Sequence, residues 1–350
     1  MGFIFALTPL ISSLINFSVS SLSDKVGRKR LLLSSRVCSV LTSGIYPLAR
    51  DLFSLVGLSV FGSLTGFGYY LASPTIASNS EDKDRVRLLS FVTAISTACM
   101  AASMIACGFL LMLFGFTFVF ATVALLQIFS FLLALGLREG SPVKTGFKRS
   151  RQNFVESLSI RGLDKDVYFV SSSRFFTMVA YAFGEGFMLV LFLRNILQAQ
   201  PATIGLVQAG AFLLYAIPSL IFSKYILRLM GATSDSLVYA AALLPTSFLM
   251  LLIGSLSSAL EVFFVYSIFG IVKGFAIVPA MKFICAAPHH VAGKSFGLYE
   301  LLGAAGSLVG GISAPIVAAV YGYRPLFIVA ATMYILAIMP MIVRRLVKKS

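Results

Sequence analysis

Residues 88–137 read LLSFVTAISTACMAASMIACGFLLMLFGFTFVFATVALLQIFSFLLALGL, 50 residues in a row without an Asp, Glu, Lys or Arg. A helix needs about 20 predominantly apolar residues to cross the hydrocarbon core of a bilayer, so this run is long enough for two crossings. The turn between them is expected between residues 112 and 116. Working outward, further uncharged runs occupy 1–23, 52–80, 196–223, 236–260 and 301–323. The remaining apolar stretches are shorter or carry one interior charge. The whole chain follows the same pattern: of 350 residues, 58% are hydrophobic and 12% charged, and mean hydropathy is +0.94. An ordinary soluble domain carries about 25% charged residues, and a water-soluble fold of this size could not hide so much apolar side chain. Inside a bilayer, backbone groups must be satisfied within each segment, so the runs are expected to be helices and not strands. The chain therefore reads as an all-α membrane protein with about eleven transmembrane helices. They are placed at 2–22, 31–49, 53–78, 88–112, 116–137, 167–193, 203–227, 236–256, 262–282, 295–320 and 325–344. The first lacks a basic leader and is too long for a secretory signal, so it reads as a true span.

A formal net charge of +15 raises the question of nucleic acid, but a nucleic-acid surface gathers its basic residues on one face among aromatics. Here the basic residues alternate with the spans. Counted over eleven helices, 23 of the 28 Lys and Arg fall on one side, at 25–36, 83–87, 138–165, 224–228, 282–294 and 344–349. Only Arg50, Arg194 and Arg324 fall on the other, and Arg174 and Lys273 lie within spans. By the positive-inside rule, the loop at 24–30 and the C-terminus are expected to be cytoplasmic, in a multi-pass protein of the cell membrane. Basicity is thus topology, and the lipid bilayer, not nucleic acid, is the expected partner. Cys38, Cys99, Cys107 and Cys285 have no paired spacing and read as small buried hydrophobes. His289 and His290 are adjacent but lack a Cys or carboxylate cluster, so neither a metal site nor a cofactor is expected.

The long polar segment, 138–165, holds seven basic residues with Gly140, Pro142, Gly146 and Gly162, the composition of a linker. It divides the chain into an N-terminal helical half at 1–138, a cytoplasmic linker at 139–165 and a C-terminal helical half at 166–350. The halves resemble each other. Phe61-Gly62-Ser63-Leu64-Thr65-Gly66-Phe67 matches Phe269-Gly270-Ile271-Val272-Lys273-Gly274-Phe275 at an offset of 208. At an offset of 207, Arg87 falls beside Lys294, Gly115 beside Gly322 and Phe120 beside Phe327. Two registers agreeing within one residue imply a duplicated two-half helical bundle. Glycines four apart also let helices approach closely, which is a packing reason for the same recurrence.

The first cytoplasmic loop reads Ser20-Ser21-Leu22-Ser23-Asp24-Lys25-Val26-Gly27-Arg28-Lys29-Arg30. It closely resembles the signature between the second and third helices of the major facilitator superfamily. Asp24, Lys25, Gly27, Arg28 and Lys29 fit that pattern, and Ser20 departs from its usual Gly. Gly27 permits a tight turn between antiparallel helices, and Asp24 is able to meet a helix N-terminus or Arg28. The resemblance runs over essentially the whole chain, including the Gly66-Phe67-Gly68 and Pro74 run in a fourth-helix position. It implies twelve helices of which the first is missing here, because counting back from the motif places residue 1 in the second helix. It also implies a gating role for the cytoplasmic motif, a small-molecule substrate and a monomer. Gly62 stands where many drug antiporters of the family carry Arg, and 88–113 lacks their glycine pattern, so a typical drug antiporter is disfavoured.

Charges inside the membrane narrow the candidates. An ionisable side chain at mid-bilayer costs about 2.5 to 3.5 kcal/mol on insertion scales, so the few that occur usually face a cavity or a partner. Lys273, Glu185 and Glu300 qualify. The resemblance puts Glu185 and Lys273 on the seventh and tenth helices, which line the family's central cavity. Lys273 is expected to bind an anionic group of the substrate or to pair with a carboxylate that releases it, and Glu185 or Glu300 to take up a coupling proton. A Lys273–Glu300 pair that only fixes packing is the structural alternative. Gly184 and Gly186 weaken the helix around Glu185, as a gating bend would. Tyr69, Tyr70, Tyr181 and Gln208 are further candidates for a cavity lining. The expected function is secondary transport of a small solute by alternating access. The opposing class is a polytopic protein that transports nothing, a truncated or regulatory relic. An enzyme is not expected, since no His, Asp or Glu cluster marks a membrane edge.

Overall fold

A computed structural model describes residues 11, 28–63, 65, 82–136, 163–221, 223–232, 235–285 and 292–347, and every regular element among them is helical. In chain order these are α1 (Arg28–Ile45), followed by a 3-10 turn at Tyr46–Leu48, α2 (Leu52–Ser63), α3 (Asp82–Leu135), α4 (Lys165–Gly184) and α5 (Phe187–Asn195). Then come α6 (Pro201–Ile221), α7 (Ser223–Ala232), α8 (Asp235–Ser255), α9 (Ala259–Gly274), α10 (Ile277–Cys285), α11 (Ala292–Tyr321) and α12 (Arg324–Val347). Eight of the described helical segments are long and apolar enough to cross a membrane, and the 45-residue segment Phe91–Leu135 holds two crossings. Ten of the eleven expected spans have a described helix, that at 53–78 only through its first part; the span at 2–22, residue 11 apart, lies outside the described residues.

Residues that punctuate the sequence set the boundaries. Gly115 interrupts α3 with φ 76°, and Gly322 separates α11 from α12 with φ 83°; these are the positive-φ glycines among the described residues. The left-handed region costs any residue with a Cβ, so both turns use glycine. The two positions paired at an offset of 207 thus share a positive φ. Asp164 caps α4 by accepting from the Asp166 amide at 3.0 Å. Ser258 and Glu261 form a reciprocal capping box at the start of α9, which satisfies amides that the helix itself leaves unpaired.

The packing centres on α4, which lies against α11 on one side and α12 on another, while α8 packs on α12 and α6 on α9. Contacts between α3 and α6 join this assembly to the α1–α3 pair. In lipid, helix association relies on close backbone approach, and small residues provide it. At the α6–α9 crossing a Cβ on Gly270 would overlap the Ala211 carbonyl, and one on Gly274 would lie 2.5 Å from the Tyr215 carbonyl oxygen. At the α3–α6 crossing Gly108 meets the Pro201 carbonyl and Gly205 that of Met104. Hydroxyls add interhelical bonds: Ser173 donates to the Ala337 carbonyl at 2.7 Å and Ser247 to the Ala331 carbonyl at 2.9 Å, fixing α12 between α4 and α8. Apolar side chains such as Phe116, Leu125 and Phe129 cover the outside of α3, a surface that water would not tolerate and a bilayer solvates. Cys99 and Cys107 lie on that exposed surface, so they are not the buried hydrophobes expected of them.

Candidate functional site

Two membrane helices break where their interior charges sit. The first break is at Gly184-Glu185-Gly186, between α4 and α5. The amides of both Glu185 and Gly186 donate to the Tyr181 carbonyl, at 2.9 and 2.8 Å, closing the end of α4. Gly184 is pressed against Met250 and Ala330, where a Cβ would meet the Met250 sulfur at 2.8 Å. The second break is at Phe275–Ala276, between α9 and α10. Pro279 has no N–H to return to the Phe275 carbonyl, and the turn tightens instead, with Ala276 donating to the Lys273 carbonyl at 3.0 Å. Lys273 therefore sits in the last turn of α9, where a cation complements the partial negative charge of a helix C-terminus.

The breaks face each other. Lys273 Nζ donates to Glu185 Oε2 at 2.5 Å, and the Tyr334 hydroxyl of α12 donates to Glu185 Oε1. Gln208 of α6 donates to the Glu185 carbonyl at 3.4 Å. The ammonium also lies 5.4 Å from the ring centre of Tyr181, 5.6 Å from that of Phe269 and 5.9 Å from that of Tyr334, within cation–π range. The Glu185 side chain is 5% exposed and that of Lys273 20%, so the pair is enclosed with its cationic end the more accessible. One carboxylate thus ties together α4, α9 and α12, and its backbone engages α6.

Glu300 is not the partner of Lys273. It lies on α11 within electrostatic reach of Arg174 on α4, and the Arg174 guanidinium carbon stands 5.0 Å over the Tyr299 ring. A Lys273–Glu300 packing pair is therefore replaced by two groupings, Lys273 with Glu185 and Arg174 near Glu300. Tyr181 and Gln208 join the first grouping. Tyr69, Tyr70, Asp24, Lys25 and Gly27 lie outside the described residues; Arg28 opens α1, and Lys29 donates to the Leu135 carbonyl at 2.8 Å.

A third grouping was not legible beforehand. Arg344, counted with the cytoplasmic basic residues, is 6% exposed. Its Nε and Nη2 donate to the two carboxylate oxygens of Asp166 at 2.7 and 2.6 Å, its Nη1 donates to Ser236 Oγ at 2.8 Å, and its guanidinium stacks on Phe283 at 4.4 Å. Beside it, Lys282 donates to Asp235 at 2.9 Å. The start of α4, the start of α8, the end of α12 and α10 are clamped at one end of the bundle. Sequence offered no signal for it, since Asp166 and Arg344 lie 178 residues apart. Tyr334 was missed for the same reason: an aromatic on an apolar helix reads as packing until a carboxylate is found beside it.

The fold and site define a helical membrane-transport bundle, with paired charges at opposed helix breaks. The family model described as Major Facilitator Superfamily matches residues 1–193, and the chain belongs to that superfamily of membrane transporters. Among solved structures, that of the human organic anion transporter MFSD10 (TETRAN) superposes with a TM-score of 0.73. The two share 16% sequence identity over 97% of this chain and 83% of that one. No curated protein sequence matches the chain.

Proposed function

We propose that this protein is a secondary active transporter that moves a small solute bearing an anionic group across the cell membrane, coupled to a proton. The halves 1–138 and 166–350, joined by the linker 139–165, rock about a midplane site, with the motif at Asp24, Lys25, Gly27, Arg28 and Lys29 gating the cytoplasmic side. The observation that carries this reading is the Glu185–Lys273 pair, enclosed and set at the breaks of two helices.

The chemistry follows from the pair's balance of charge. With Glu185 ionised, Lys273 is neutralised and offers little to an anion. A proton on Glu185 removes the counter-charge and leaves Lys273 with a free positive charge beside the aromatic rings of Tyr181 and Phe269. An anionic solute then replaces the carboxylate as partner, so proton and substrate enter the site together, and only when both have left is the original pair restored. Helix breaks at both residues let these exchanges move α5 and α10 relative to α4 and α9. The description of MFSD10 as an organic anion transporter is consistent with an anionic solute.

The test is uptake of a panel of radiolabelled small organic acids into proteoliposomes, with and without an imposed proton gradient. Accumulation above equilibrium is expected only with the gradient; E185Q should lose it while retaining exchange of internal for external solute. Transport by K273M at full rate with unchanged pH dependence would refute the proposal.

A further inference from the structure

The Glu185 side chain already satisfies Lys273, so the cation among the described residues with a buried donor that makes no hydrogen bond is a different one. Arg174 is enclosed by the bundle and half-buried, and its Nε is wholly inaccessible to solvent and makes no hydrogen bond among the described residues. The cause of that burial is visible: the side chain runs across Gly303 of α11, where a Cβ would meet Cγ and Nε at 3.2 Å. The flat guanidinium then lies over Tyr299, with Tyr215 of α6 and Tyr239 of α8 within electrostatic reach. Tyr239 is itself engaged with Ser173 at 3.1 Å. Glu300 is the nearby counter-charge, and it makes no direct ion pair with Arg174 among the described residues. A buried polar group without a partner is costly, and such a group in a native structure calls for a ligand or a reason. The Tyr299 ring lies against the guanidinium, 5.0 Å from its carbon, and a guanidinium receives a carboxylate through two parallel bonds in its own plane, directions that a ring against its face does not block.

The geometry points to Arg174 as a binding residue for the carboxylate of a small organic acid, with Tyr299 beneath the guanidinium and Glu300 as the competing resting charge. This rests on the proposed transport of an anionic solute and specifies where its carboxylate is held while Lys273 is still paired with Glu185. An Arg offering a fork is specific for carboxylate over an amide of the same shape, because only the ionised group matches both its charge and its two donors. Glu300 sets the affinity by opposing the arriving anion.

The experiment is isothermal titration of the detergent-purified full chain with benzoate and, as the neutral isostere, benzamide, with no proton gradient present. Wild type is expected to bind benzoate and not benzamide. R174Q should weaken benzoate binding by about tenfold or more, the loss of a charge-assisted pair. E300Q should bind it more tightly, a gain that no folding defect can imitate and that carries the test should R174Q fail to fold. Failure of benzoate to bind wild type, equal binding by R174Q, or no gain in E300Q overturns the assignment. Loss of gradient-driven uptake with benzoate binding intact would count against coupling through Glu185 and leave Arg174 standing.

Discussion

Removing Glu185 alone should cost more than removing Glu185 and Lys273 together. The E185Q side chain is nearly isosteric but leaves Lys273 as a cation that is 20% exposed with no counter-charge. K273M leaves the opposite problem, a carboxylate 5% exposed with Tyr334 as its remaining side-chain donor. Breaking a buried pair from one side costs about 3 to 5 kcal/mol, and the partial exposure of Lys273 favours the low end for E185Q. At about 2.1 cal/mol/K of unfolding entropy per residue, 3 kcal/mol spread over 350 residues lowers the melting temperature by about 4 °C. E185Q/K273M removes both charges, so it should melt above either single variant, with a coupling energy of about 2 kcal/mol or more in a double-mutant cycle. The chain has no Trp, so the assay is circular dichroism at 222 nm on protein in detergent. If E185Q melts with wild type, or the double variant falls by the sum of the singles, the two residues do not form the enclosed pair described here and the reasoning fails.

The same logic applies at the Arg344 clamp: R344M should destabilise by about 3 to 5 kcal/mol, and D166N/R344M should recover part of the loss, measured by the same melts. At the repeated glycines the two halves should differ. G270A places a Cβ on the Ala211 backbone and is expected to lose monodisperse yield, whereas the Cβ of G62A, among the described residues, meets only the Thr42 methyl at 3.4 Å and the variant should behave as wild type in size-exclusion chromatography. Asp51, outside the spans, accepts from the Ser54 amide at 2.6 Å, and hydrogen bonds from the Ser54 amide and then its hydroxyl hold its carboxyl below the usual value of 3.8. A lowered folded-state value means that its contribution to stability is present above about 3.8 and is lost as pH falls through the lower one. D51A should therefore differ from wild type in thermal melts at neutral pH and converge on it in strong acid.

Much of the helical framework was written locally. Uncharged runs of membrane-spanning length, punctuated by Gly115 and Gly322, locate helices because bilayer thickness and backbone hydrogen bonding act on each segment by itself. The loop at Asp24–Arg30 named the family for a similar reason, since its residues are adjacent in the chain. The choice of Lys273, Glu185 and Glu300 also came from sequence, as rare charges in apolar surroundings. Which of them meet was decided only in three dimensions. The helix break after Lys273 and the reach of Tyr334 pair that ammonium with Glu185, 88 residues away, and not with Glu300, 27 residues away. Arg174 lies across Gly303 and against Tyr299 with its Nε unpaired among the described residues, and Asp166 draws Arg344 out of the basic tail into the bundle. A charge advertises its cost in the sequence that surrounds it, but its partner is chosen by which helices pack together, and that depends on the whole chain.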